Sequence, residues 1–460
     1  MIRSFMAAML FASAAPAAAQ TIAITGGTVA LGDGSDPIPG GTVVIRNGRI
    51  TAAGTHVSVP PTAQVIDARG KWVTPGIVAG FSRIGLSEID LGDDGVTDDK
   101  ASGGPFGAAI DVAPAVNPAS STIAVNRADG VTRAVVAPNA AKSIFAGQGA
   151  VIDLGADMEP ITHARLFQFV EFGETGASTA GGSRASAYVL FRNALKEASE
   201  LRRYAPSISS TRRGEGRLPP EVRDPNESRE YGPDARRSED VMLTRFDAAA
   251  LVPVLQGRQY LVIHAERARD ILNVLGLKRT YPSLKLVLVG ASEGWLVADK
   301  IAASRIPVIA SAVNDLPATF EQLAATQSNV GRMRDAGVHV AIGMIDDNDT
   351  RFLFNERQYA GNLVALQNVP GASGVRWGEA LAMITSRPAE ALGLGRDLGS
   401  LAPGRRADVV IWSGDPLQVS SNAEAVFIDG VQQPMDTRQT KLRERYKDLS
   451  RDVLPEAYRR

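Results

Sequence analysis

No cysteine occurs in the 460 residues. That excludes disulfides, thiolate zinc sites, a Cys nucleophile and lipid attachment at a thiol. Stability must therefore come from a packed core. Histidine is scarce as well, with only His56, His163, His264 and His339. Excess charge is missing too. A formal net charge of −1 offers no electrostatic reason to expect nucleic acid or an acidic membrane surface as partner. No run after the first twenty residues is long and apolar enough to span a bilayer. The G-x-S-x-G nucleophile elbow and the phosphate-binding G-x-x-x-x-G-K loop are both absent. GQGAV at 147–151 and TAGGS at 179–183 are glycine-rich but match no phosphate fingerprint.

What is present is a globular composition, 44% hydrophobic and 22% charged, on a chain long enough for one large domain and a smaller one. Residues 1–19 read as a signal peptide. Arg3 supplies the positive start, Phe5 to Ala14 the apolar segment, and Ala17-Ala18-Ala19 a small-residue cleavage site before Gln20. The expected location is the periplasm or the exterior, with no membrane anchor after cleavage.

From Thr21 to Ala68 the texture is that of strands, with Asn47-Gly48 as a hairpin turn. The same texture returns in ADVVIW at 407–412 and in Ala425 to Ile428 before Asp429-Gly430. Two such segments flanking an α/β region predict one small β-sandwich built from both ends of the chain, 20–75 with 395–434. Between them, 76–394 alternates as βα units. The clearest strands are 132–137, 259–264, 285–289, 307–313 and 337–343, and helices are expected over 265–275, 293–303, 319–336 and 377–385. Asp247 is positioned to cap a helix through Leu255 that Pro253 would kink. The fold class is α/β, a (β/α)8 TIM-like barrel plus the sandwich. Residues 206–240, rich in Arg, Glu, Asp, Pro and Gly, form a mobile insertion without a core. The 435–460 stretch is a terminal helix with Leu442, Tyr446, Leu449 and Val453 on one stripe.

The segments ITGGTV, NGRITAAG, IDARGKWVTPG and SRPAEALGLGRDLGSLAPGRRADVVIWSGDP resemble the amidohydrolase superfamily, nearest to exported relatives of imidazolonepropionase. The resemblance implies a divalent metal at the barrel mouth. It would be held by His-x-His on the first strand, a carboxylated Lys or a Glu on the fourth, a His each on the fifth and sixth, and an Asp on the eighth. In this chain Phe81 and Arg83 stand in the first pair's place, with Ser82 between them. His264 matches the fifth-strand ligand. The sixth strand ends in Gly290, and on the eighth Ile345 takes the expected position with Asp346 one residue later. A one-residue bulge would be needed to aim Asp346 inward. Glu171 is the fourth-strand candidate.

One His and one Asp fall short of the three protein ligands a zinc site needs. A residual divalent metal, Zn, at His264 is the most the pattern supports, with Asp346 as the catalytic carboxylate. Phe81, Arg83, Glu266 and Gly290 are expected to line the pocket, and His264, Glu266 and Arg83 offer a metal-free alternative. The acidic groups at Asp90, Asp93, Asp94, Asp98, Asp99 and at Asp346, Asp347, Asp349 follow no calcium-loop spacing and read as solvated loops. Two functions follow. One is a hydrolase of amide or cyclic-amide C–N bonds with an altered or reduced metal site. The other is a catalytically inactive barrel acting as a binding or partner subunit. Expected partners are a small-molecule ligand at the mouth and a related amidohydrolase in a homo- or hetero-oligomer.

Overall fold

The computed structural model describes residues 21–88, 97–209, 241–345 and 351–447. The expected signal peptide at 1–19, most of the expected insertion at 206–240, Asp90, Asp93, Asp94, Asp346, Asp347, Asp349, Leu449 and Val453 lie outside them. No helix among the described residues is long and apolar enough to cross a membrane.

The chain begins with β1 (Thr21–Val29), β2 (Ile38–Arg46), β3 (Arg49–Gly54), β4 (Gln64–Asp67) and β5 (Trp72–Pro75). Asn47 and Gly48 both take positive φ, 52° and 72°, so the tight turn twists with the strands it joins. The barrel strands follow: β6 (Ile77–Ser82), β7 (Val131–Val136), β8 (Phe145–Asp153), β9 (Ile161–Glu171), β10 (Tyr260–Ala265), β11 (Lys285–Gly290), β12 (Val308–Ala310) and β13 (Val340–Ile342). Last come β14 (Val409–Trp412), β15 (Ala423–Ile428) and β16 (Val431–Gln432). The turn between β15 and β16 also uses positive φ, at Asp429 and Gly430.

Strands from both chain ends join in one sheet, ordered β16-β15-β14-β5-β1-β2-β3, with β4 beside β1. The splice is the antiparallel pairing of β5 with β14, where Val73 faces Ile411. Ile22, Ile24, Val43, Ile45, Val73, Val409, Ile411 and Phe427 make its core. The second sheet runs β6 to β13 in order and nearly closes, the Met344 N–H reaching the Phe81 carbonyl at 3.3 Å.

One strand departs from the expected pattern. β8 is antiparallel to both β7 and β9. The short link 154–160 carries no helix, so the chain must turn back as a hairpin and cannot cross over to a parallel strand. The expected helix over 319–336 is shorter as well, a single 3-10 turn at Phe320–Gln322 and a helix at Asn329–Asp335. The cap of helix Arg245–Leu255 is Thr244, whose hydroxyl accepts the Asp247 N–H. Asp247 sits one turn further in. Helix Arg438–Tyr446 forms the described part of the terminal segment; Leu442 and Tyr446 are exposed.

The barrel interior is filled rather than hollow. Phe81, Val135, Phe167, Phe169, Val262, Val287, Val289, Ile309 and Ala341 pack as one cluster, the inward set of a small closed sheet. The opposite faces of the same strands pack on the helices.

Sheet and barrel are tied by Arg133 on β7, which is fully buried. Its Nε and Nη2 donate to both oxygens of Asp408 at 2.7 and 2.9 Å, and Nη2 also meets Asp429 Oδ1 at 2.9 Å. Asp408 and Asp429 flank β14 and β15 of the end-to-end sheet. Removing the cation would strand the buried Asp408 carboxylate. Arg133→Met is therefore expected to lower unfolding stability by about 3–5 kcal/mol, read from urea denaturation midpoints. An unchanged midpoint would show that the joint does not depend on this ion group.

Candidate active site at the barrel mouth

Glu171 ends the fourth barrel strand, β9, and His264 is the penultimate residue of the fifth, β10. The parallel register pairs them directly. His264 Nδ1 lies 2.8 Å from Glu171 Oε2, and Nε2 lies 3.0 Å from Glu266 Oε1. The Ser292 N–H holds the other oxygen of Glu266 at 2.7 Å. Glu171 and Glu266 are buried, whereas the His264 side chain is 17% exposed. With both carboxylates ionised each oxygen only accepts, so both ring nitrogens donate and the ring is an imidazolium.

Electrostatics agree with that geometry. Burial opposes a charge on the ring, but the Glu171 and Glu266 carboxylates outweigh it and hold the His264 pKa well above the ordinary 6.5. For Glu266 burial alone would raise the pKa. The hydrogen bonds from His264 and Ser292 win, and the group is held below the usual carboxylate range.

Gly290, at the end of the sixth strand, makes this arrangement possible. Its φ is +93°, and a Cβ there would sit 2.6 Å from Glu266 Oε1 and 2.8 Å from His264 Cδ2. The position where the resemblance asks for a ligand is thus the floor on which the His264–Glu266 pair rests. Phe81 is buried on the first strand, its ring 5.3 Å from that of Phe169. Arg83 follows, buried, with its guanidinium 5.6 Å from the Phe81 ring. Beyond the clamp, Arg184 joins Asp270 at 3.1 Å and Glu321 at 3.1 Å. Burial raises the Glu321 carboxyl, against the pull of His264 and Arg184.

The other histidines stand apart. His163 lies at the opposite end of β9 beside Thr162, and His56 is an exposed turn residue. His339 precedes β13 and contacts the Arg387 carbonyl at 3.2 Å and its guanidinium at 3.0 Å. Of the residues singled out from sequence, His264, Glu266 and Gly290 converge; Phe81 and Arg83 meet each other on the first strand. Asp346 is outside the described residues. Glu171, the fourth-strand candidate, joins the converging group, and what sequence reasoning missed is its contact with His264. Its signal was available in FQFVE, an apolar strand ending in a carboxylate level with His264.

Residues 289–432 match the family model described as "Amidohydrolase family". The imidazolonepropionase of Symbiobacterium thermophilum is 26% identical over 405 residues, covering 82% of this chain and 84% of that protein. These likenesses support the amidohydrolase superfamily for this chain. The amidohydrolase tasK of Hapsidospora irregularis is 25% identical over 422 residues, which are 85% of this chain but 40% of the longer protein. Among solved structures, the amidohydrolase from Thermotoga maritima MSB8 shares the fold with a TM-score of 0.74 and 24% identity, over 89% of this chain and 99% of that one. Molinate hydrolase shares it at a TM-score of 0.52 and 19% identity, over 91% and 95%.

An amidohydrolase-type metal does not fit the described donor set. A ligating imidazole must be neutral and keep a free lone pair, and both His264 nitrogens are spent on carboxylates. Phe81 offers no lone pair and Arg83 a fixed positive charge. Among the described residues no group of three or more His, Asp or Glu side chains is arranged to hold a metal.

The clamp carries a pH signature. Below pH 6.5 His264 is protonated folded and unfolded alike, and the ion pairs contribute fully. Above it only the folded chain keeps the proton, so stability falls as pH rises through the raised folded value. Glu266→Gln is expected to flatten that decline in urea midpoints measured from about pH 6 to 9. A slope identical to wild type would contradict a charged clamp.

Proposed function

We propose that this amidohydrolase hydrolyses amide or cyclic-amide C–N bonds, with the metal centre reduced and its positive charge supplied by His264 and Arg83. The observation that carries the reading is the Glu171–His264–Glu266 chain at the ends of the fourth and fifth strands, where barrel enzymes place their chemistry.

The residues suffice for a balanced reaction. Glu171 Oε2 is bonded to His264, and its other carboxyl oxygen takes a proton from water as the water oxygen bonds to the carbonyl carbon. The carbonyl oxygen becomes an oxyanion facing fixed positive charge. As the C–N bond breaks, the same Glu171 oxygen gives that proton to the departing nitrogen, and the site is reset with His264 still charged and paired with Oε2. Glu266, anchored by the Ser292 N–H, keeps the ring oriented throughout.

A second reading is a barrel that binds without turnover, beside an intact relative. The buried Phe81 and the exposed apolar side chains Leu316, Phe320 and Leu323 on the loop after β12 favour it. With either reading we propose that residues 1–19 direct export and are removed, which places the chain in the periplasm or outside the cell. Their composition supports this.

Cyclic amides and N-acyl amino acids should be offered to the chain from Gln20 onward, with and without chelator. The expected result is turnover indifferent to chelator and lowered about 10²–10⁴-fold in Glu171→Gln and His264→Ala. Turnover abolished by chelator would restore the metal mechanism. No turnover with any substrate would leave the binding reading.

A further inference from the structure

The segment between the seventh barrel strand, β12, and helix Asn329–Asp335 does not stay over its own strand. Asn314 Nδ2 donates to Ser292 Oγ at 3.3 Å, beyond the end of the sixth strand. Glu321 then reaches the loop after the fourth strand, where its Oε2 accepts the Glu174 N–H at 2.8 Å and meets Arg184 Nη2 at 3.1 Å. Ala324 is back beside the sixth strand's loop. Its N–H lies 3.2 Å from Glu293 Oε1, and its carbonyl accepts the Trp295 indole N–H at 2.8 Å. The strand order places β10 and β11 between β9 and β12. A segment that leaves β12 and touches the loop after β9 must pass the ends of both, and His264 is on β10. The charges of His264 and Glu266 act on the Glu321 carboxyl, as that path requires.

The contact at Glu321 is built from both sides. Glu321 is 7% exposed, between the exposed Phe320 and Leu323. Opposite it residue 173 is glycine, where a Cβ would come within 3.0 Å of both Glu321 oxygens. Asp270 holds Arg184 Nε at 3.1 Å, so the guanidinium is aimed independently of Glu321. Helix Glu174–Thr179 is joined to helix Arg184–Ser209 through Gly181 and Gly182, with φ of +86° and +88° and open space around both.

Little else holds the crossing segment down. Its large apolar side chains Leu316, Phe320 and Leu323 are all exposed. Polar contacts, rather than a packed apolar face, fix it between Asn314 and Ala324. Regions with few buried apolar contacts are the ones that open locally at least cost.

We propose that this segment is a strap over the Glu171–His264–Glu266 group and that Glu321 is its latch. Solutes reach His264 when Glu321 releases Arg184 and the Glu174 N–H and the strap lifts. Gly181 and Gly182 let helix Glu174–Thr179 yield with it. The inference concerns access, so it holds whether the barrel hydrolyses its ligand or only binds it.

A chain without cysteine allows a direct test that needs no substrate. S292C puts a single thiol beneath Asn314, at a residue 2% exposed. Its reaction with 5,5′-dithiobis(2-nitrobenzoate) reports lifting of the strap, and S420C, at an exposed position, is the control. The S292C thiol is expected to react far more slowly than that of S420C. Adding E321A should speed it about 10–100-fold and leave S420C unchanged. E321Q keeps an acceptor for the Glu174 N–H but loses the charge facing Arg184, and should give a smaller gain. It also preserves the comparison where E321A is too unstable to purify. The rates should not vary with urea below the unfolding transition, which separates lifting of the strap from global unfolding. Three results would overturn the proposal: S292C as reactive as S420C, a rate unchanged by both E321A and E321Q, or a gain that appears only in step with unfolding.

Discussion

Everything at the mouth of this barrel turns on one imidazole ring held between two carboxylates. His264 has Glu171 on one nitrogen and Glu266 on the other, and these neighbours hold its proton to higher pH than a free ring would keep it. A buried cation between two anions is stable only if each partner is itself anchored. Glu266 is anchored by the Ser292 N–H, and the space it needs exists only because residue 290 has no side chain. The family resemblance implies a dication among neutral imidazoles at this end of the strands; in this chain His264, between its two carboxylates, and the Arg83 guanidinium stand at the ends of the fifth and first strands.

The frame that holds this site is assembled from distant parts of the chain. β5 and β14, more than 330 residues apart in sequence, pair edge to edge. Arg133 then reaches out of the barrel to Asp408 and Asp429 of that sheet. Trp412, buried, sends its indole N–H to Thr74 across the same splice at 2.9 Å. Inside the barrel, Phe81 and Phe169 fill the axis below the mouth. The interior is apolar up to the last layer, and the Glu171–His264–Glu266 group stands at the strand ends.

Much of this was legible in the sequence. Apolar runs of strand length bounded by turn residues marked the barrel strands, and Asn47-Gly48 and Asp429-Gly430 marked the hairpins of the end-to-end sheet, because those residues accept positive φ. The replacement of the His-x-His pair by Phe81 and Arg83 was visible by position alone. What could not be read was direction and partnership. β8 is as buried as β7 beside it, and only the short, helix-free link after it reveals that it runs backwards. Glu171 could be placed on the fourth strand. Its meeting with His264 depends on register between segments some ninety residues apart, which no local pattern encodes.

The direct test of the account is the protonation of His264, observed by ¹⁵N NMR of histidine-labelled protein near pH 7, before and after addition of Zn²⁺. With four histidines in the chain, a His264→Ala sample assigns the signal. Two protonated ring nitrogens, unchanged by zinc, are predicted. A neutral ring whose resonance moves when zinc is added would show that His264 is still a metal ligand, and would contradict the claim that a clamped imidazolium has taken the metal's place.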